Sequence, residues 1–119
     1  MAYGNPKILE GTHLADADYT AKQFHCVRLS ASGVILSGAG GEVDGILQNK
    51  PNIGEQCEIG RNVVKAKAGG VFNRGADLMS NVDGKLVTAT ATNKIVAKAM
   101  ESAVADDVIA VIFQKNGKK

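Results

Sequence analysis

The side chains in this sequence best suited to chemistry are His13, His25, Cys26, Cys57 and the carboxylates Asp16, Asp18, Asp106 and Asp107. An imidazole beside a thiol suggests a base-activated nucleophile, which makes His25-Cys26 the first candidate pair. Adjacent residues of a strand point to opposite faces, so that spacing keeps the two side chains apart. Neither histidine has a second ligand at HxxxH or HExxH spacing. Asp16 and Asp18 have the i, i+2 spacing of a calcium loop without its glycine and terminal glutamate. Asp106-Asp107 reads as the loop ahead of a last strand. Ser30, Ser32, Ser37 and Ser80 lack GxSxG context and fall at turns, where hydroxyls bond local backbone. The glycine-rich run 38–41 lacks the Lys-Ser/Thr ending of a phosphate loop. VKAK at 64–67 and VAKAM at 96–100 lack the lysine tip of biotinyl and lipoyl domains. The expectation is a protein that is not an enzyme, with no catalytic residue, no metal and no cofactor.

Short strands must position these residues. Residues 75–113 set the grammar: GADLMS, a turn at Val82-Asp83-Gly84, KLVTATAT, KIVAKAMESA and a closing VIAVIF. Turn signals between short β-branched and apolar runs predict a compact all-β body, a small β-barrel, β-sandwich or tulip-like form. Upstream, runs at 24–29, 34–36, 43–48, 56–59 and 63–68 are separated by glycines, Pro51 and a flexible loop at 37–41. This spacing suits sandwiches and small barrels. The run 95–106 holds good helix formers, so a strand over 94–100 followed by a loop competes with a short helix near 97–106.

The chain has 119 residues, which favours one domain. With three phenylalanines, two tyrosines and no tryptophan, its core must come from Val, Ile, Leu and Ala. Such a thin aliphatic core makes subunit contacts plausible. A net charge of +2 argues against a nucleic-acid role. Two cysteines make no disulfide framework and read as small buried hydrophobes, although one bridge between them is open. No apolar run approaches the ~20 residues of a membrane span, and no secretory leader is visible, so synthesis in a cytosol is expected. Residues 1–20 have neither alternation nor helical period and read as an extended N-terminal arm before a β-rich domain at 21–119. An ordinary edge strand packed on its own domain is the competing reading of that segment.

An internal repeat is also visible. Leu29 to Ile35 aligns with Met79 to Val87, allowing one or two inserted residues. Gly45 then matches Ala97, Gly54 matches Asp106, Cys57 matches Ile109 and Ile59 matches Val111, all 52 residues apart. Two half-units of strand, turn, strand, loop, strand, turn, strand would close into one sheet-rich body.

The run GGVFNRGADLMSNVDGKLVTAT at 69–90, with IVAKAMESA at 95–103 and VIAVI at 108–112, resembles the C-terminal half of capsid cement proteins of tailed bacteriophages. Ala97 and Met100 stand where that family usually has glycine and leucine. The resemblance implies a structural virion protein, similar in role to the lambda head decoration protein. Such a protein is made in the host cytoplasm, binds the outside of the expanded capsid and clamps neighbouring major capsid subunits, often as a homotrimer. On that reading the arm adds a strand to the capsid protein through Tyr3, Asn5, Pro6, Ile8 and Leu9. A non-catalytic β-barrel module for carbohydrate or tail-associated adhesion is the alternative, weakened by the scarcity of aromatics. A small enzyme with its site at a subunit interface is a third.

Overall fold

The computed structural model describes residues 5–90 and 93–118, with side chains over 8–90 and 93–114. Nine strands run in chain order: β1 (Asn5–Ile8), β2 (Cys26–Ser30), β3 (Gly33–Leu36), β4 (Gly45–Leu47), β5 (Ile59–Lys67), β6 (Asp77–Ser80), β7 (Leu86–Thr88), β8 (Lys94–Ala99) and β9 (Val108–Lys118). Turn chemistry sets their ends. Between β6 and β7 the Asn81 carboxamide oxygen accepts from the N–H groups of Asp83 (2.9 Å) and Lys85 (3.0 Å), a local turn that competes with further pairing. Among the described residues there is no helix. Residues 97–106 complete β8 and then form a loop, because Ala97, Lys98 and Ala99 pair with β9 and Ala103 bridges to Phe72.

All strand ladders are antiparallel and form one sheet in the order β3-β2-β4-β5-β9-β8-β6-β7, with β1 joined to β5. That order is a palindrome of two equivalent halves. Ile46↔Gly60 and Leu47↔Ile59 of β4·β5 recur 52 residues later as Lys98↔Ile112 and Ala99↔Val111 of β8·β9. Cys26↔Ile46 and Val27↔Gly45 recur as Asp77↔Lys98 and Leu78↔Ala97. The β2–β3 hairpin pairs Val27↔Leu36 and Leu29↔Val34; the β6–β7 hairpin pairs Leu78↔Thr88 and Ser80↔Leu86.

Connections repeat as faithfully as strands. The parallel bridge Ala15↔Val34 has its counterpart in Ala68↔Leu86. Tyr19 N–H donates to the Pro51 carbonyl and Phe72 N–H to that of Ala103, at 2.9 and 3.1 Å. Gly54 and Asp106 share a left-handed backbone, with φ of 79° and 71°. The duplicated unit therefore covers about residues 14–60 and 67–112. Its two copies meet along β5·β9, from Val63↔Ile112 to Lys67↔Val108. The sheet also curls on itself, since Cys26 N–H donates to the Gly84 carbonyl (2.6 Å) and Gly40 N–H to that of Ser80 (2.8 Å).

Each half has its own apolar cluster. Val27, Val34, Leu47, Ile59, Ala15, Cys57 and Tyr19 fill the first. The larger cluster is centred on Val64, Ala66, Leu78, Leu86, Val96, Val111 and Phe72, and draws in Cys26 and Ile46 from the first half. The two halves solve one packing problem with different atoms. A Cβ on Gly45 would collide with the Ile59 side chain and sit 3.0 Å from the Gly60 carbonyl oxygen. The equivalent positions hold Ala97 and Val111, so a methyl group lost on one strand is matched by one gained on the other. Gly45→Ala alone should cost about 1–3 kcal/mol through overpacking. Adding Ile59→Val keeps the γ-carbons but lets them turn about χ1 away from the new Cβ, so it should recover part of that loss instead of adding its own ~1 kcal/mol. Urea unfolding midpoints of the two single variants and the double variant measure this coupling.

Candidate functional site

Structure separates the groups that could have formed a catalytic site. His25 lies just ahead of β2, not within it, and is 2% exposed. Its Nδ1 donates to the Gln23 carbonyl (3.0 Å), which fixes the tautomer and satisfies the buried ring. Burial lowers its pKa below the usual histidine value, and the charges of Lys22, Lys67 and Lys85 push the same way. His13 caps its own turn, with Nε2 2.7 Å from the Glu10 carbonyl oxygen.

Cys26 and Cys57 are free and fully buried in different clusters. Burial pushes the Cys26 thiol up to about 12 and raises that of Cys57 as well, so both are neutral packing groups. Asp18 is committed to Thr20, accepting from its N–H (3.0 Å) and hydroxyl (2.8 Å). Asp106 forms an exposed ion pair with Lys85 at 2.9 Å, and Asp107 accepts from Val104 N–H at 3.0 Å. Among the described residues no three metal-ligating side chains converge.

The arm residues have defined places. Tyr3 lies outside the described residues. Asn5 and Pro6 belong to β1, opposite Val63 and Asn62, and Ile8 faces Gly60 in register. Ile8 is 44% exposed. Leu9 packs partly against the first cluster and donates to the Ile59 carbonyl (2.8 Å). Further along, Leu14 bridges Gln56, and Ala15 and Tyr19 are core residues, so the described part of segment 1–20 lies on the body. β5 accommodates β1 at a backbone irregularity. Asn62 adopts a φ of 75° where β5 passes from pairing with β1 to pairing with β9.

Two surface depressions lie among the described residues. One, about 280 Å³, lies beside the Phe72↔Ala103 bridge between the exposed Val71 and Val104. The duplicate positions in the first half are Asp18 and Asn52, so the apolar pair belongs to the second half alone. The other, about 270 Å³, is lined by Thr20, Gln23, Phe24, Lys50, Lys67 and Val108. Sequence reading missed it, because its lining comes from four separated segments.

No protein-family model and no curated protein sequence matches the chain. Among solved structures, the chain is similar to the N base of the head fiber gp8.5 of bacteriophage phi29. The TM-score is 0.72 at 13% identity, over 95% of this chain and 99% of that one. At that identity the likeness establishes the shared fold.

Two expected outcomes follow from the buried groups. Neither thiol should react with Ellman's reagent in the native protein, and both should react once denaturant is added; labelling of the native protein within minutes would contradict their burial. His25 has a lowered folded pKa, so the unfolded chain binds its proton first as pH falls. Its contribution is full above about pH 6.5 and is lost progressively below that value, down to the folded pKa. Thermal midpoints should therefore decline from pH 7 towards 5, and His25→Gln should flatten that slope.

Proposed function

We propose that the protein is a structural component of a tailed-phage head that binds the outside of the expanded shell and clamps neighbouring shell subunits. The observation that carries this reading is the fold shared, across nearly the whole chain, with the base of a phage head fiber. The cement-like run at 69–90 supports it independently, since it forms β6, the Asn81–Gly84 turn and β7 of that same fold. The fold likeness supports a head-associated role; clamping is the part added by the cement-like sequence.

Attachment is assigned to the N-terminal segment, with Tyr3, Asn5, Pro6, Ile8 and Leu9 as contact residues. Among the described strands β1 has a ladder with β5 alone. Strand addition along its second edge would join protein to shell through backbone hydrogen bonds. A homotrimer would multiply such contacts, and linked sites of this kind gain about 10²–10⁴ in avidity.

Cosedimentation with expanded shells of the cognate phage, followed by electron microscopy, tests the reading. Deleting residues 1–12 should leave a folded β-body, seen by circular dichroism, that no longer binds shells. Ile8→Asp separates binding from folding. This exposed position should change stability by only ~0.5 kcal/mol, yet shell binding should weaken at least tenfold. Undiminished binding by both variants would refute attachment through this segment.

A further inference from the structure

We infer that the depression lined by Phe24, Lys50 and Lys67 is a binding site for an acidic side chain of a protein partner. The first observation is charge. Lys50 and Lys67 both line the depression, and among the described residues neither has a carboxylate within ion-pair distance. Lys67 acts together with Lys22 and Lys85 on the buried His25. Asp106 acts electrostatically with Lys67, yet its carboxylate is held by Lys85 at 2.9 Å. An incoming carboxylate would meet two lysines that have no ion-pair partner of their own among the described residues.

The second observation comes from comparing the two halves. The counterpart of Lys50 is Ser102, and that of Lys67 is Leu14, so the duplicated fold forms without a lysine at either position. The counterpart of Phe24 is Gly75. Both sit in equivalent turns, closed by His25 N–H to Lys22 and Ala76 N–H to Asn73, and both donate to equivalent strands: Phe24 N–H to Leu47 and Gly75 N–H to Ala99, at 2.6 and 2.8 Å. Both have left-handed backbone, with φ of 70° and 89°. Glycine adopts that conformation freely, whereas a bulky aromatic is strained there. The first half thus keeps a strained phenylalanine where its duplicate shows that glycine builds the turn. What the phenylalanine adds is a half-buried ring on the wall of the lysine-lined depression, facing the same space as Val108. Apolar wall and cationic rim together fit the methylenes and carboxylate of a glutamate.

Charge and backbone place this site without reference to the head-protein reading; naming an acidic loop of the shell protein as its occupant rests on that reading. The experiment separates the two. The full-length ¹⁵N-labelled protein is titrated at low salt with hexaglutamate, and separately with a short DNA duplex, while amide shifts are followed. Hexaglutamate should shift Thr20, Gln23, Phe24, Lys50 and Lys67, and raised salt should reverse the shifts. Lys50→Glu/Lys67→Glu should weaken this binding at least tenfold. Phe24→Gly should weaken it while leaving the thermal midpoint at or above that of the wild type. Shifts that survive Lys50→Glu/Lys67→Glu, or that lie elsewhere, overturn the site. Tighter binding of duplex than of peptide at these amides overturns the protein partner in favour of nucleic acid. In the shell cosedimentation assay, Lys50→Glu/Lys67→Glu should lose at least tenfold in affinity. Wild-type shell binding with no loss in this variant removes the shell as occupant while the peptide result stands. Peptide binding without any shell binding by the wild type refutes the head-protein reading alone.

Discussion

The pairing of β5 with β9 is the constraint on which the rest of this fold depends. Five register pairs from Val63↔Ile112 to Lys67↔Val108 join two four-strand units that are otherwise complete copies of each other. Without that ladder each unit would present its longest strand as an unpaired edge. With it, Val64, Ala66, Ile109 and Val111 enter one cluster and the sheet has a continuous interior. Side-chain chemistry has little part in setting this geometry. Backbone hydrogen bonds and the alternation of the strands specify it, which is why the halves keep register while sharing few residues.

Much of this was legible in the residues. Glycines and Asp-Gly turns marked the strand ends, and β-branched runs marked the strands. Four residue pairs 52 apart in sequence lie at equivalent places, down to the left-handed backbone shared by Gly54 and Asp106. The earlier part of the repeat was hidden for a physical reason. Ala15 and Ala68, or Tyr19 and Phe72, are equivalent through backbone bridges and N–H donors that place no demand on residue type. The spacing also slips by two residues between Tyr19 and Phe24 and by one more at the turn after β2, so no single offset aligns the whole unit. The N-terminal segment lacked pattern because its described part is held to β5 by backbone pairing, with a proline among the paired positions.

The departures from symmetry say more about function than the symmetry does. Gly45 with Ile59 against Ala97 with Val111 is a neutral exchange of volume between strands. Phe24 against Gly75, Lys50 against Ser102, and Val71 with Val104 against Asp18 with Asn52 are not exchanges of that kind. They alter charge, exposure or strain without helping either core. Lys50 with Ser102 and Asn52 with Val104 lie on the 52-residue offset, whereas Phe24 with Gly75 and Asp18 with Val71 fall off it, and each acquires meaning only when two distant segments are laid over one another in space.

The order of β5 and β9 along the chain has a consequence for biosynthesis. A ribosome delivers β2 to β5 well before Val108 emerges, so the first unit can form while the edge of β5 that β9 covers is still open. Contacts of such long sequence separation form slowly, and an open strand edge is a template for another chain. The duplicated design supplies a specific wrong partner, the same edge on a second nascent copy. On polysomes crowded with one message, correct assembly is a race between the arrival of β9 and the meeting of two half-made neighbours.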